Sequence, residues 1–397
     1  MPNQKMYEYG SSPSKIREIF EYGKKRKMEI GSDAVFDFSL GNPSVPSPKI
    51  VNDTLISLLQ ESDPTILHGY TSGVGDLGVR ESIVNYLNNK YQTNHVAKYV
   101  YMTVGAAASL TISLHALLNE GEEVIVLAPF FPEYRVFVEK AKGVLKIVKP
   151  NVLTFEPDLD DLVNNLNSST KAVIINSPNN PTGVVYSEET IKKIAEILKA
   201  KSLEYNHPIY LISDEPYREL VYGDIEVPFV TKYYDNTIIC YSFSKSLSLP
   251  GERIGYILVS EKCEKKDQVY LAVSGAGRAL GYVCAPALFQ YMVPKCLGYT
   301  SDLSVYKTNR DILYTCLKEY GYDVIKPDGA FYLFVKALGS DANEMVERAK
   351  KYELLLVSSD SFGYPGYIRI SYCVSTKQIK ASLLAFKKLI EDYKNEE

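Results

Sequence analysis

A chain of 397 residues, 46% hydrophobic and 23% charged, is too long for one small core and has the balance of a soluble globular protein of two domains. Its formal charge of -4 excludes a strong overall pull toward nucleic acid or anionic membranes, so any anionic ligand must be held by local charges. The six cysteines show no paired spacing and no companion histidine cluster, and no apolar run has signal-peptide or membrane-spanning length; the expectation is a cytoplasmic protein with reduced thiols and no metal.

In chain order, residues 14–28 read as a helix, followed by a short extended piece over 36–40 and the turn region Gly41-Asn42-Pro43. Gly69-Tyr70-Thr71-Ser72-Gly73 is a glycine-rich loop, and residues 76–91 read as a helix with Leu77, Val84 and Leu87 among its apolar positions. The small-residue run Gly105-Ala106-Ala107-Ala108-Ser109 opens into a helical pattern over 110–118. Small side chains there let backbone N–H groups approach an anion, aided by the helix dipole. Strands are expected at 123–127, 172–175, 210–213, 237–241 and 254–260, alternating with helical patterns; one helix starts at the N-cap candidate Ser187 and carries Ile191, Ile194 and Leu198 on one face. Such alternation implies an α/β fold with a largely parallel sheet covered on both faces. Residues 274–281 read as a glycine-rich loop carrying Arg278, and from about Lys295 the pattern changes to helices with short strands, including 331–334 and 367–370.

The chemistry concentrates at the ends of three strands. Residues 237–241 run into Ser242-Phe243-Ser244-Lys245, with Arg253-Ile254-Gly255 shortly after. A lysine amine can condense with an aldehyde, while serines and an arginine bind a phosphate dianion through charge-assisted hydrogen bonds. Residues 172–175 run into Asn176-Ser177-Pro178-Asn179-Asn180-Pro181-Thr182-Gly183, where the Asn180 amide can donate to a phenolic oxygen. Residues 210–213 run into Asp214-Glu215-Pro216-Tyr217. An aspartate against a pyridine nitrogen keeps it protonated, and Tyr217 could donate to the same phenolic oxygen. Each segment alone is a good turn or strand exit; together, at carboxyl ends of successive strands, they describe a site for pyridoxal 5'-phosphate.

From about Phe38 to the C-terminal region the chain resembles the fold-type I, class I pyridoxal-phosphate-dependent aminotransferases of the aspartate aminotransferase family. Asn180-Pro181-Thr182-Gly183, Ser213-Asp214-Glu215, Ser242-x-Ser244-Lys245 and Gly251-x-Arg253-x-Gly255 carry the resemblance. It implies a large cofactor-binding domain over 48–294, built on a mostly parallel seven-stranded-type sheet flanked by helices, and a small α+β domain from 1–47 and 295–397. It implies Lys245, Asp214 and Tyr217 as catalytic residues. Gly105, Ala106 and Ala107 would form the phosphate-binding turn, with Ser242, Ser244 and Arg253 as further cofactor contacts and Phe131 as the aromatic that stacks on the ring. Tyr70 would reach from one subunit of a homodimer into the other's phosphate site. Arg369 would grip the substrate α-carboxylate as a planar fork, with Gly41 and Asn180 completing that subsite. Arg278 stands close to where dicarboxylate-specific relatives carry an arginine for the distal carboxylate; a surface arginine is the alternative.

The implied activity is ping-pong transfer of an amino group between an L-amino acid, aspartate or glutamate first, and a 2-oxo acid. The alternatives are a C–S β-lyase and a transaminase for a non-dicarboxylic amino acid. A sensor built on this fold would need a DNA-binding segment, for which about 35 residues ahead of Phe38 leave no room at ordinary domain size. Two departures from the family pattern stand out. Ala107 replaces a frequently polar residue, which leaves binding there to backbone amides, and Val357-Ser358-Ser359 stands where many relatives carry Val-Pro-Gly, which alters the expected rigidity of that loop.

Overall fold

The computed structural model describes residues 2–11 and 14–396. Its main sheet has seven strands: β1 (Val100–Thr103), β2 (Glu123–Leu127), β3 (Val144–Val148), β4 (Thr170–Asn176), β5 (Tyr210–Asp214), β6 (Thr237–Ser242) and β7 (Gly255–Val259), in the order β1-β7-β6-β5-β4-β2-β3. Strand β7 is antiparallel to both β1 and β6, and the remaining pairs are parallel.

Alternating side chains of these strands enter two apolar layers. On one face Ile238, Cys240, Ile212 and Ile174 pack with Leu110 and Ile112 of helix Ala106–Leu117 and with Val269 and Val273 of helix Lys266–Ala279. On the other, Leu211, Val173 and Ile175 pack with Ile191, Ile194 and Leu198 of helix Glu188–Tyr205. Further along that face Ile239 and Met102 meet Ile83 and Leu87 of helix Leu77–Tyr91. Both sides are covered, which is why the strands read as continuous apolar runs. Side-chain caps fix where two of these helices begin: Asp76 Oδ1 accepts from Val79 N at 3.0 Å, and Ser187 Oγ accepts from Thr190 N at 3.2 Å.

The second sheet is antiparallel, with β8 (Val324–Ile325), β9 (Tyr332–Lys336), β10 (Val357–Ser358) and β11 (Tyr367–Ser371) in the order β10-β11-β9-β8. The N-terminal segment joins this part of the molecule: Phe36–Asp37 pairs in parallel with Leu354–Leu355, and Ile19, Phe38 and Val45 share a buried cluster with Leu333, Ile370 and Phe386. Tyr217 and Leu220, just beyond β5, enter the same cluster and so connect the two sheets.

Several elements differ from the sequence expectation. Strands β1 and β3 were not anticipated, nor was the helix Gln4–Ser11, whose Tyr9 hydroxyl donates to Glu139 at 2.9 Å. Residues 274–279 are not a loop but the last turns of helix Lys266–Ala279, with the small residues Ala276 and Gly277 buried against the sheet. Tight packing accounts for Gly277, where a Cβ would stand 2.2 Å from the Tyr101 hydroxyl. The serines after Val357 tie their loop down: Ser359 Oγ donates to Tyr364 O at 2.6 Å and accepts from Tyr367 N at 2.9 Å. Among the described residues no helix is long and apolar enough to cross a membrane, and no group of three or more His, Cys, Asp or Glu side chains is placed to hold a metal.

Candidate active site

The carboxyl ends of β2, β4, β5 and β6 open into a cleft of about 260 Å³. It lies where open α/β sheets place ligands, because there the loops diverge and helix N-termini converge. Its lining brings together Gly41, Ala106, Ala107, Phe131, Asn180, Asp214, Tyr217, Ser242, Ser244, Lys245, Arg253 and Arg369. Gly105 caps the helix at the cleft's edge.

At the floor, Asp214 is buried, and its Oδ2 accepts from Tyr134 Oη at 2.6 Å. Its Oδ1 is buried without a partner. Burial raises the Asp214 carboxyl to about 7, opposed by the Tyr134 hydrogen bond. Below it, Asn176 Nδ2 donates to the Asp214 carbonyl at 2.9 Å, while Asn176 Oδ1 accepts from Asn180 N at 2.8 Å. One asparagine thus locks two strand exits together.

Lys245 follows β6 in the short helix Phe243–Ser246 and donates from Nζ to the Gly41 carbonyl at 2.7 Å. Burial, reinforced by the positive charges of Arg253 and Arg369 and opposed by Cys373, lowers the Lys245 ammonium to about 8. The amine is therefore partly unprotonated near neutral pH.

On one side of the lysine an anion site is preformed. Helix Ala106–Leu117 begins at Gly105, which offers no side-chain cap and adopts a φ of +96°. A Cβ at residue 105 would stand 2.7 Å from an Arg253 guanidinium nitrogen, so glycine satisfies both the dihedral and the close approach. Arg253 Nη1 donates to Ser244 Oγ at 3.2 Å, and Ser242 Oγ donates to Ser244 Oγ at 2.8 Å. Two hydroxyls, a guanidinium and an uncapped helix N-terminus converge, the donor set a phosphate dianion requires.

On the other side Arg369 is buried on β11, donating from Nη1 to Asn180 Oδ1 at 3.1 Å and from Nη2 to the Ser39 carbonyl. Its Nε is buried without a partner. Its guanidinium lies over the rings of Tyr332, at 4.8 Å, and Phe362, at 5.1 Å. Burial pushes this group below its ordinary value.

The model of conserved sequence features for "Aminotransferase class I and II" matches residues 33–386. The chain belongs to this family. It is 32% identical to an aspartate aminotransferase of Thermotoga maritima over 96% of this chain and 97% of that one. It is 29% identical to a probable aspartate/prephenate aminotransferase of Aquifex aeolicus, over 93% and 94% of the two chains. A solved amino transferase from Eubacterium rectale superposes with a TM-score of 0.96 at 55% identity, covering 98% of each chain.

Aminotransferases of this class use pyridoxal 5'-phosphate, and the cleft has the groups to hold it. The decisive fit is the buried, unpartnered Oδ1 of Asp214. An orphaned carboxylate oxygen there is costly by itself and favourable beside a protonated ring nitrogen. Phe131 offers an aromatic face but no polar handle.

Two of the residues singled out from sequence lie outside the cleft of their own chain. Tyr70 is 98% exposed in its loop, and Arg278 is exposed in the last turn of helix Lys266–Ala279. Conversely, Tyr134, Asn176, Tyr332 and Ser39 hold the site together and were not assigned roles from sequence. Tyr134 lies within the same Pro129-Phe130-Phe131-Pro132-Glu133-Tyr134 run as Phe131. One helical turn of spacing was the available signal for it.

Proposed function

We propose that this aminotransferase moves an amino group between L-aspartate or L-glutamate and a 2-oxo acid. The observation that carries the transfer chemistry is the placing of the Lys245 amine, the Arg369 guanidinium and the open Asp214 oxygen in one cleft. Bound there, pyridoxal phosphate would supply an aldehyde carbon to carry the amino group and a pyridinium ring to accept electrons. Arg369 holds the substrate α-carboxylate as a fork, with Asn180 and the Gly41 region beside it. Lys245 Nζ, uncharged in part near neutral pH, takes the proton from the substrate Cα and returns it on the cofactor side. Asp214, as the anion, holds the ring nitrogen in its protonated form. Ser242, Ser244, Arg253 and the N–H groups after Gly105 would anchor the phosphate, and Phe131 would offer the ring an aromatic face.

The dicarboxylate preference is supported by the name of the Thermotoga maritima relative and by the exposure of Arg278, which leaves it available to a neighbouring subunit. In this reading the enzyme is a homodimer with a large domain over 48–294 and a small domain from 1–47 and 295–397. Tyr70 and Arg278 of the partner subunit would complete each cleft. A second reading has an observation of its own. Ile16 and Leu40 line the cleft with apolar surface, which suits an apolar or aromatic substrate side chain.

A half-reaction screen separates these readings: each amino acid is added to holoenzyme, the spectrum is followed, and the product is identified by mass. Release of an oxo acid supports transamination, whereas pyruvate with ammonia and a thiol marks a lyase. Arg278→Ala is expected to lower kcat/KM for aspartate roughly 30-fold or more relative to alanine, the loss of a buried charge partner. Equal losses on both substrates would return the choice to the apolar reading.

The shared-site reading carries its own expectation. Mixing Tyr70→Phe with Lys245→Ala protein, each impaired alone, should restore activity, because half of the sites in the heterodimer regain both native residues. No recovery after verified subunit exchange would remove Tyr70 from the neighbouring site.

A further inference from the structure

Tyr332, the first residue of β9, stands where three parts of the cleft meet. Its hydroxyl lies 2.8 Å from that of Tyr217. Its ring supports the Arg369 guanidinium at 4.8 Å. The same hydroxyl presses on Gly41, since a Cβ built at residue 41 would stand 2.1 Å from it. Only glycine fits there, and the Gly41 carbonyl is the group that accepts from Lys245 Nζ. Strand register explains the convergence: Tyr332 pairs with Ser371, two residues from Arg369, and Phe331 packs edge-on against Tyr217.

We propose that Tyr332 is a positioning residue, its hydroxyl orienting Tyr217 toward the cofactor's phenolic oxygen while its ring independently supports Arg369. The proposal rests on Tyr217 being the donor to that oxygen. A phenol has one proton and two acceptor sites. When Tyr217 gives its proton to the cofactor, its own oxygen is left to accept, and Tyr332 is the hydroxyl placed to donate. A hydroxyl that accepts one hydrogen bond is polarised into a stronger donor of the next, most of all in a water-poor site. Burial raises the Tyr332 phenol to about 12, so it keeps its proton across the working pH range. The two roles separate by atom: the hydroxyl acts on Tyr217, the ring on Arg369.

The test is a double-mutant cycle on holoenzyme using Tyr332→Phe, Tyr217→Phe and the pair, read by pH titration of the bound cofactor's absorbance. A hydrogen bond to the ionised phenolic oxygen favours the deprotonated form. Tyr332→Phe should therefore raise the apparent pKa of that titration by about 0.5, roughly threefold in the equilibrium. Tyr217→Phe should raise it further, and the double variant should match Tyr217→Phe alone. The Michaelis constant for the amino acid should stay within about twofold in Tyr332→Phe, which keeps the ring. In Tyr332→Leu, which loses the ring, it should rise about threefold or more.

An unchanged titration in Tyr332→Phe alongside a raised one in Tyr217→Phe would overturn the proposal and leave the Tyr217 reading standing. Additive shifts in the double variant would likewise overturn it. An unchanged titration in Tyr217→Phe would overturn the donor reading itself and the proposal with it.

Discussion

Lys245→Ala holoenzyme is expected to turn over amino acids at least about 10³-fold more slowly than the native enzyme, within the range set by losing a positioned general base and larger once the anchor is lost. The expectation comes from geometry. Lys245 is the amine at the centre of the cleft, its Nζ held at 2.7 Å from Gly41 O and flanked by Arg253 and Arg369, whose charges help lower it to about 8. Truncation to Ala removes the group that both holds the cofactor and moves the Cα proton, while the phosphate donors Ser242, Ser244 and Arg253 remain. The variant should therefore still bind pyridoxal phosphate, with the spectrum of a cofactor not joined to a lysine. In the native protein, borohydride reduction and peptide mapping should place the pyridoxyl group on Lys245. A label on another lysine, or near-native turnover in the variant, would sink the assignment.

Asp214→Asn is expected to cost about 3–5 kcal/mol of transition-state stabilisation, roughly 10²–10⁴-fold in kcat/KM, the scale of leaving a buried charge without its counter-charge. The fold should tolerate the change, since Tyr134 can donate to the asparagine Oδ1 as it does to the carboxylate. Stability without cofactor should move the other way. The native carboxyl is held near 7 by burial, against an ordinary value of 3.8. The folded protein therefore binds that proton more tightly than the unfolded chain. This contribution to stability is fully present below about 3.8 and lost as pH rises through about 7. Cofactor-free native protein should accordingly show a falling unfolding midpoint between pH 4 and 7 that Asp214→Asn lacks, and bound cofactor should blunt it. Parallel pH profiles for the two cofactor-free proteins would show that Asp214 is not the buried acid described.

The residues legible in the sequence were those that strand ends present in short, distinctive runs. Asp214 ends a buried strand, and Lys245 and Asn180 follow theirs by a few residues, so local pattern brought them to one end of a sheet. Contacts between distant segments were not legible. Tyr217 with Tyr332, Tyr134 with Asp214 and Arg369 with the Ser39 carbonyl depend on register and on docking of the second sheet, which alternation does not encode. Direction was also hidden. Strand β7 reads like its parallel neighbours because it too is buried on both faces, yet it runs the opposite way. Gly277 reads like a loop glycine for a related reason: small residues serve a turn and a tight helix contact equally well, and only its buried neighbour Tyr101 distinguishes them.

Among the described residues no carboxylate pairs with Arg369, although its guanidinium is enclosed by the aromatic rings of Tyr332 and Phe362 and by neutral acceptors. The missing counterion is therefore supplied by whatever enters. Small carboxylic acids that carry no amino group should compete with substrate at this corner, and dicarboxylates should do so more strongly if a second cation reaches them. Kinetic work in acetate, citrate or succinate buffers would then report a weaker apparent affinity than work in an amine buffer at the same pH, with the discrepancy disappearing as the buffer is diluted at constant ionic strength.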